Sequence, residues 1–201
     1  MQTPALNKSS LSLLKRRRTM YQRFLPALEM KQRMLLAQRK LAGERLAALR
    51  QEMQEREESI GTTLPMLADE GVPLGAPVRV VAVKVTQENL VGVMLPRLDE
   101  VVTERQEYGL LIRPHWMDAL VEQLEAMLRL DVERRLLERR LRLLDEAART
   151  ITQRVNLFSK VIIPTVNRQI QRIDLHLADQ ERAAVVRGKL AKRKHAEGAR
   201  S

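Results

Sequence analysis

The residue types that carry catalysis or bind metals are sparse in this sequence and poorly placed. The three histidines, His115, His176 and His195, stand far apart, and none has a second histidine or a carboxylate at ligand spacing. The chain has no cysteine, which excludes disulfides and thiolate metal sites. The glycine-rich stretch 71–75 lacks the Lys-Ser/Thr pair of a phosphate-binding loop. We therefore expect no catalytic residue, no metal and no cofactor, and a protein that is not itself an enzyme.

The excess positive charge is concentrated at the two ends of the chain. The net charge is +11, of which residues 1–25 contribute +6 and residues 185–201 contribute +5, while the segment between them is neutral. Such clusters suit an anionic surface, which is nucleic acid, phospholipid or acidic protein, although solvated termini would show the same pattern. The candidate binding residues are Lys15, Arg16, Arg17, Arg18, Arg187, Lys189, Lys192, Arg193 and Lys194.

Long helices must position these cations. Ten of the 16 Gly and Pro residues lie between Gly61 and Pro114, and residues 115–187 contain only Pro164. A single helix over residues 115–187 would span on the order of 100 Å. The 2% aromatic content is low for a globular core and normal for a coiled coil. No apolar run approaches the ~20 residues of a membrane span. The sequence therefore predicts an elongated, all-α dominated molecule.

Heptad spacing predicts how the helices pair. The second helical segment carries an apolar seam in steps of four and three, at Leu137, Leu141, Leu144, Ala148, Ile151, Val155, Phe158 and Ile162. After Ile162 the steps change to a longer period through Val166, Ile170, Ile173 and Leu177, with a kink expected at Pro164. The first segment repeats every seven residues at Leu28, Leu35, Ala42 and Leu49, with Leu46, Met53 and Ile60 between. We expect a long antiparallel two-helix coiled coil with both basic ends at one tip and an unpaired overhang after about residue 175.

The breaker-rich middle is predicted to form a small β-hairpin region. Residues 71–77 read as a turn-rich linker, and two valine-rich strands are expected within residues 78–95 around a polar turn at residues 86–89. Pro96 is expected to stop the second strand, a short helix to follow over residues 98–108, and Trp116 to anchor the middle on the helices. The predicted segments are an N-terminal helix (1–64), this central region (65–114), a C-terminal helix (115–195) and a tail (196–201).

The C-terminal segment resembles the last helix of the D subunit of the V-type rotary ATPases, called A-type in archaea. The matching residues are an R-V-N at 154–156, an I-P ending at Pro164, the spaced Ile170 and Ile173, an acidic-basic step at 179–182 and a basic end at 187–190. Residues 88–93, followed by Pro96, resemble the hairpin of that family. The chain departs from the family pattern at residues 24–26, where the family often has a glycine, and at residues 27–33, where its lysine-rich pattern is diluted.

The resemblance implies a rotor axle that transmits torque between a catalytic head and a membrane ion-translocating ring and catalyses nothing. It implies contacts with the A and B subunits of the head, with a small F subunit and with a socket subunit. It implies no nucleic-acid partner, no homo-oligomer, and a cytoplasmic place on the inner (plasma) membrane. The family-motif positions are Arg154, Asn156, Pro164, Glu181 and Arg182, and the hairpin contacts expected for a partner are Val83, Val85, Val91 and Val93.

Two other classes remain as alternatives. A basic coiled coil that binds nucleic acid or anionic lipid would also carry charged ends, and its DNA affinity would fall log-linearly with salt. A stalk component of a protein-export ATPase would share the helical-hairpin plan and would be expected to lack the strand pair.

Overall fold

The computed structural model describes residues 4–63, 77–106 and 116–198. In chain order the elements are α1 (Lys8–Thr63), β1 (Val78–Leu90), β2 (Val93–Arg105), α2 (Met117–Asn156), a π-helical segment (Leu157–Ile162) and α3 (Ile163–Gly198). The predicted class is confirmed: helices dominate, and the two strands form one antiparallel hairpin. The C-terminal helical stretch reaches Gly198, past the expected start of a tail at residue 196.

The chain divides into two units. The first unit contains residues 1–31 and 151–201. In this unit α1 runs antiparallel to α3, because Lys8 pairs with Glu181 at 3.6 Å and Lys15 pairs with Asp174 at 3.4 Å. Its buried core consists of Leu14, Val166, Ile170 and Ile173, against which Leu6, Leu11, Tyr21, Ile162 and Leu177 pack.

The second unit contains residues 32–150. Here α1 runs antiparallel to α2, since Arg39 pairs with Asp145 while the later Arg50 pairs with the earlier Glu138 at 2.9 Å. Of the predicted heptad positions in this unit, Leu35, Ala42, Leu46, Leu49, Leu144 and Ala148 are buried, and Met53, Ile60, Leu137 and Leu141 are half-buried. A separate cluster joins the hairpin base to the helices through Val78, Met117, Leu120 and Val121, with Ile60, Trp116, Leu124 and Leu128 packed against it. The expected anchoring role of Trp116 is confirmed.

The hairpin turn lies at Val91 and Gly92, so the predicted turn at residues 86–89 is wrong. Both residues have positive φ, 52° and 80°, as in the two-residue turns that match strand twist. The side chain of Asn89 accepts a 2.8 Å hydrogen bond from the N–H of Gly92 and supports the turn. Gly92 supplies the positive φ at no steric cost, whereas the β-branched Val91 is strained in this region.

The strands are longer than predicted, and the short helix predicted over residues 98–108 is wrong for the described residues 98–105, which continue β2. Pro96 does not end the strand. Counted outward from the Leu90↔Val93 pair beside the turn, Gln87↔Pro96 is a pair that exchanges no backbone hydrogen bonds, so the proline nitrogen faces outward and no ladder bond is lost. Of the predicted linker 71–77, residues 71–76 lie outside the described part.

The change of apolar period coincides with the π-helical segment. The N–H of Ile163 donates to the carbonyl of Phe158, five residues back, and the Ser159 hydroxyl donates to the carbonyl of Val155 at 2.8 Å. Pro164 follows at once and lacks the N–H that an α-turn would require. At the other end of the chain, α1 passes through Pro26 as one continuous helix.

Candidate partner-binding surfaces

The N-terminal cations of residues 15–18 lie within about the first three turns of α1. The helix start is capped, because the Asn7 side chain accepts a 2.7 Å hydrogen bond from the N–H of Ser10. The side chain of Lys15 is held by Asp174, while Arg16 and Arg17 are exposed. Arg18 is half-buried, and its Nε has no hydrogen-bond partner. The four cations therefore differ in setting, and Arg16 and Arg17 are the two most open to a partner.

The C-terminal cations lie beyond the N-terminal cations along the helix axis, so the two basic clusters are offset and do not meet at one tip as expected. Because α1 begins at Lys8, opposite Glu181, the remainder of α3 extends past the start of its partner. The described side chains from Glu181 to Arg193 are all exposed, so an overhang is present, beginning about six residues later than expected. Arg187 follows Asp174 by 13 residues, about 20 Å along a helix. The overhang carries Arg187, Lys189, Lys192 and Arg193; the Lys194 side chain lies outside the described part.

Beside the N-terminal cations, α1 and α3 border an open groove of about 1120 Å³. Its α1 wall includes Arg16, Met20, Arg23 and Phe24, and its α3 wall includes Leu177. This surface was not predicted from the sequence, where only the cations and the buried seam drew attention and apolar residues outside that seam did not. The sequence signal was the four-residue spacing of Met20 and Phe24, two large apolar residues outside the predicted seam that both line the groove.

The family-motif residues are spread along the helix and do not form one site. Arg154 and Asn156 are exposed at the end of α2, and Pro164 is half-buried at the start of α3. Glu181 pairs with Lys8, and Arg182 pairs with Asp179 at 3.7 Å. Glu181 thereby fixes the alignment of α3 with the beginning of α1.

Of the two hairpin strands, β1 is the more exposed to solvent. Every residue of β1 from Val81 to Asn89 is exposed, including Val83 and Val85. Val91 and Val93 are half-buried at the turn and at the start of β2, and Leu95 of β2 is fully buried. The four predicted hairpin contacts therefore divide into an exposed pair on β1 and a partly packed pair around the turn.

One carboxylate fixes the hairpin base to α2. The Glu125 side chain is 14% exposed and accepts hydrogen bonds from the Thr103 hydroxyl and from the guanidinium groups of Arg105 and Arg129. The bonds from Thr103 and Arg105 hold the pKa of the Glu125 carboxyl below its usual range, against the opposing effect of burial. Glu125 was not predicted as a structural residue, because its three partners lie on two different elements.

A second set of ion pairs connects α1 with α2. Arg45 binds Glu133 and Arg50 binds Glu138, each at 2.9 Å, and Arg134 also reaches Glu138. Glu138 therefore has one partner on its own helix, Arg134, and one on α1, Arg50. The pairs between the two helices were not predicted from the sequence.

Two further findings concern only the described ranges 4–63, 77–106 and 116–198. Within them, no three His, Asp or Glu residues are grouped as metal ligands. Among the helices of the same ranges, none has the length and apolar character needed to cross a membrane.

Residues 10–193 match the family model described as the D subunit of ATP synthase. The chain is 34% identical over 187 residues to the V-type ATP synthase D subunit of Borreliella burgdorferi, an alignment that covers 93% of this chain and 92% of that protein. It is 28% identical over 194 residues to the protein of that name from Chlamydia felis, covering 94% and 92% of the two chains. The Chlamydia muridarum protein of the same name is 38% identical over 107 residues, 53% of each chain. The chain belongs to the ATP synthase D-subunit family.

Proposed function

We propose that this chain is the axle of the central stalk in a V-type rotary ATPase or ATP synthase, and that it transmits torque between the catalytic head and the membrane ion-translocating ring. As a member of its family the chain is a non-catalytic stalk subunit of a rotary ATPase. The observation that carries the axle role is the family match across nearly the whole chain, together with helices that pair antiparallel in each unit.

Torque transmission needs a shaft that resists bending and twisting. Heptad packing buries apolar side chains along both units, and the cross-helix pairs Arg39–Asp145, Arg45–Glu133 and Arg50–Glu138 connect α1 with α2 at several levels. Each exposed pair contributes only about 0–1 kcal/mol. A distributed set of this kind lets the load be shared, so that no single pair is indispensable.

We assign the proposed partners to two kinds of surface, the basic helix ends and the exposed hairpin strand. The basic residues of α1 and of the α3 overhang would contact the A and B subunits of the head, whose inner surface we expect to be acidic. The exposed face of β1, with Val83 and Val85, would dock the small F subunit, and a socket subunit would link the shaft to the ring. The complex would lie on the cytoplasmic side of the inner (plasma) membrane. Nucleic acid and further copies of the chain are not proposed as partners.

Reconstitution tests this proposal. The chain would be combined with the head subunits and the small stalk subunit of the same organism, and ATPase activity and rotation would be measured with and without it. We expect the chain to enter a one-per-head complex and to change its ATPase activity. A chain that does not join the head under any salt condition would refute the proposal.

Single and combined charge reversals of the terminal cations test their proposed contact with the head. Reversing any one of Arg16, Arg17 or Arg18 should leave coupled ATPase activity nearly unchanged, because single exposed ion pairs are weak. Reversing residues 15–18 together, or truncating after Arg187, should impair assembly or coupling more than it lowers the thermal stability of the chain. Normal coupling after loss of both clusters would remove the head-binding role from these cations while leaving the axle role in place.

The nucleic-acid alternative is separated by the same variants. If the cations bound phosphates, DNA affinity would fall log-linearly with salt, and each lost phosphate contact would reduce that slope by roughly one unit. The axle proposal predicts weak DNA binding that has no relation to ATPase coupling.

A further inference from the structure

The two outer edges of the hairpin differ in how well they are protected. The hairpin is a two-stranded sheet, so each strand has one edge whose backbone groups the ladder does not use. On β2 this edge is closed at Pro96, which has no N–H and whose carbonyl accepts a 3.4 Å hydrogen bond from Arg140 of α2. A further strand cannot pair with β2 at this point.

The outer edge of β1 has open hydrogen-bonding groups. Val85, Gln87 and Asn89 each belong to a pair that exchanges no backbone hydrogen bonds with β2, so their N–H and C=O groups point outward. Within the described residues, no hydrogen bond reaches these outward groups. The side chains of the same three residues are exposed. This edge therefore offers free donors and acceptors at every second residue.

The devices that usually protect an exposed edge are weak in β1. Its single lysine, Lys84, is held by Glu100 at 2.6 Å. The strand contains no proline, and its bulge lies near the base, between Val80 and Ala82. From Ala82 to Leu90 the strand continues without an extra residue. A long, valine-rich edge left open in this way is a template for pairing with another chain.

We infer that the free edge of β1 accepts an extended strand of the small stalk subunit, which adds a third strand to the hairpin. This inference rests on the proposed function, which assigns the exposed face of β1 to that subunit, and it adds the backbone contact. Outward N–H and C=O groups are complementary to an extended backbone and not to a helix, so a strand is the segment that fits. Strand addition also stabilises a hairpin that is marginal with two strands.

The side chains of β1 define the chemistry of the incoming strand. Val83 and Val85 lie two residues apart and share a face, and they are 40% and 44% exposed. Aromatic and β-branched residues pair favourably with valine across a ladder. The charged side chains of Lys84 and Glu88 already have partners in β2 and α2, so they do not select for charge. The incoming strand is therefore uncharged and β-branched or aromatic on the face that it shares with the two valines.

The first experiment tests the backbone contact without any substitution. Hydrogen exchange of the native chain is followed by NMR for single amides, with and without the purified small stalk subunit. In the free chain the outward amides of Val85, Gln87 and Asn89 should exchange faster than the inward amides of Thr86 and Glu88. Saturating small subunit should slow the outward amides at least about tenfold. Outward amides that stay unprotected while the subunit is bound would refute strand addition and leave docking through side chains.

The second experiment removes one outward donor and keeps the ladder of the hairpin. Gln87→Pro places a proline directly across from Pro96, at a position whose N–H faces away from β2. The matched control, Gln87→Ala, loses the same side chain and keeps the N–H. We expect Gln87→Pro to bind the small subunit at least about tenfold more weakly, and Gln87→Ala to bind within about twofold of the native chain. Equal affinity of the two variants would overturn the proposal.

The fold of the proline variant is checked by the inward amides. Slow exchange at Thr86 and Glu88 shows that the hairpin of Gln87→Pro is intact, and its affinity then decides. If those amides exchange faster than in the native chain, the decision rests on the outward amides of the native complex.

A different occupant and a failure of the proposed function give separate results. If the outward amides become protected when the free chain is concentrated, the edge pairs with a second copy of the chain and the proposal is overturned. If the small subunit does not bind the native chain, its proposed docking on β1 fails and strand addition fails with it. The axle role, which is tested by binding to the head, stands in both cases.

Discussion

Thr103 of β2 donates a 2.5 Å hydrogen bond to the carboxylate of Glu125 on α2. The same carboxylate accepts bonds from Arg105 of the hairpin and Arg129 of its own helix. A lone two-stranded hairpin is marginally stable in water, so it must be held by other elements. Glu125 provides that attachment at the base, next to the apolar cluster around Val78.

Replacing Glu125 by glutamine should loosen the hairpin. The amide keeps the size of the side chain and removes the charge that holds Arg105 and Arg129, so backbone exchange in β1 and β2 should become on the order of tenfold faster. Hydrogen exchange followed by mass spectrometry measures this. The control is Glu146→Gln on the exposed side of α2, which should leave hairpin exchange unchanged. Equal protection in the two variants would show that the apolar cluster alone holds the hairpin.

Stability should fall in acid because of carboxylates such as Glu138. A hydrogen bond from Arg50, followed by one from Arg134, holds the pKa of the Glu138 carboxyl below its usual range against the effect of burial. A depressed native pKa contributes stability above the unfolded value, about 4.3 for glutamate, and that contribution is lost as pH falls through and below this value. The free energy of unfolding, measured with denaturant, should therefore fall as the pH is lowered from about 5 to about 3. Glu138→Gln should be less stable at neutral pH and show a shallower acid slope; an unchanged slope would contradict the assignment.

The helical seams were predictable because burial leaves a periodic trace in the sequence. Leu35 and Leu49 recur at seven-residue intervals, and both are fully buried, as are Leu144 and Ile173 on the opposite segment. A heptad pattern sustained over many turns has few competing explanations, so element type and core residues follow from it. The ion pairs between the helices do not follow, because a long arginine such as Arg45 can reach acids at several positions.

The hairpin was harder to predict because its charged residues suit either helix or strand. Glu100 and Glu104 favour a helix by local propensity, but each pairs across the ladder, with Lys84 at 2.6 Å and with Arg79 at 2.7 Å. Tertiary pairing therefore overrides propensity in β2. The turn was missed because a valine precedes Gly92, where asparagine or glycine is the usual signal.

The strain at Val91 gives a stabilising substitution. Asparagine tolerates positive φ far better than a β-branched residue, so Val91→Asn should stabilise the hairpin by about 1 kcal/mol. Thermal unfolding and hydrogen exchange of the strands measure the gain. The same change at Val83, within β1, should not stabilise, because asparagine is unfavourable in strands. If Val91→Asn stabilises the chain and also weakens binding of the proposed small stalk partner, the strained valine serves that contact.

The π-helical segment keeps the apolar face of the C-terminal helix in phase. Phe158, Ile162, Val166 and Ile170 are separated by three successive steps of four residues, which in an ideal α-helix drift by about 120°. A π-turn takes up one extra residue, equivalent to about 100°, and offsets most of this drift. At the start of this segment Phe158 faces α1, where its ring meets the ring of Tyr21 edge-on with centroids 5.6 Å apart.

Deleting Lys160 removes the extra residue that the π-turn takes up, so the segment should become a continuous α-helix while the residues that follow keep their facing. Val166, Ile170 and Ile173 should then stay packed against Leu14. The matched control deletes Arg168, an equally exposed residue in the regular part of α3, and should rotate everything that follows by about 100°. Ile170 and Ile173 would then turn away from Leu14, and the loss of these buried side chains, each contributing roughly 1.5–3 kcal/mol, should unfold this unit or shift its pairing. Circular dichroism melts and hydrogen exchange over residues 162–177 measure both effects. If the Lys160 deletion were as damaging as the Arg168 deletion, the π-turn would not be what takes up the extra residue.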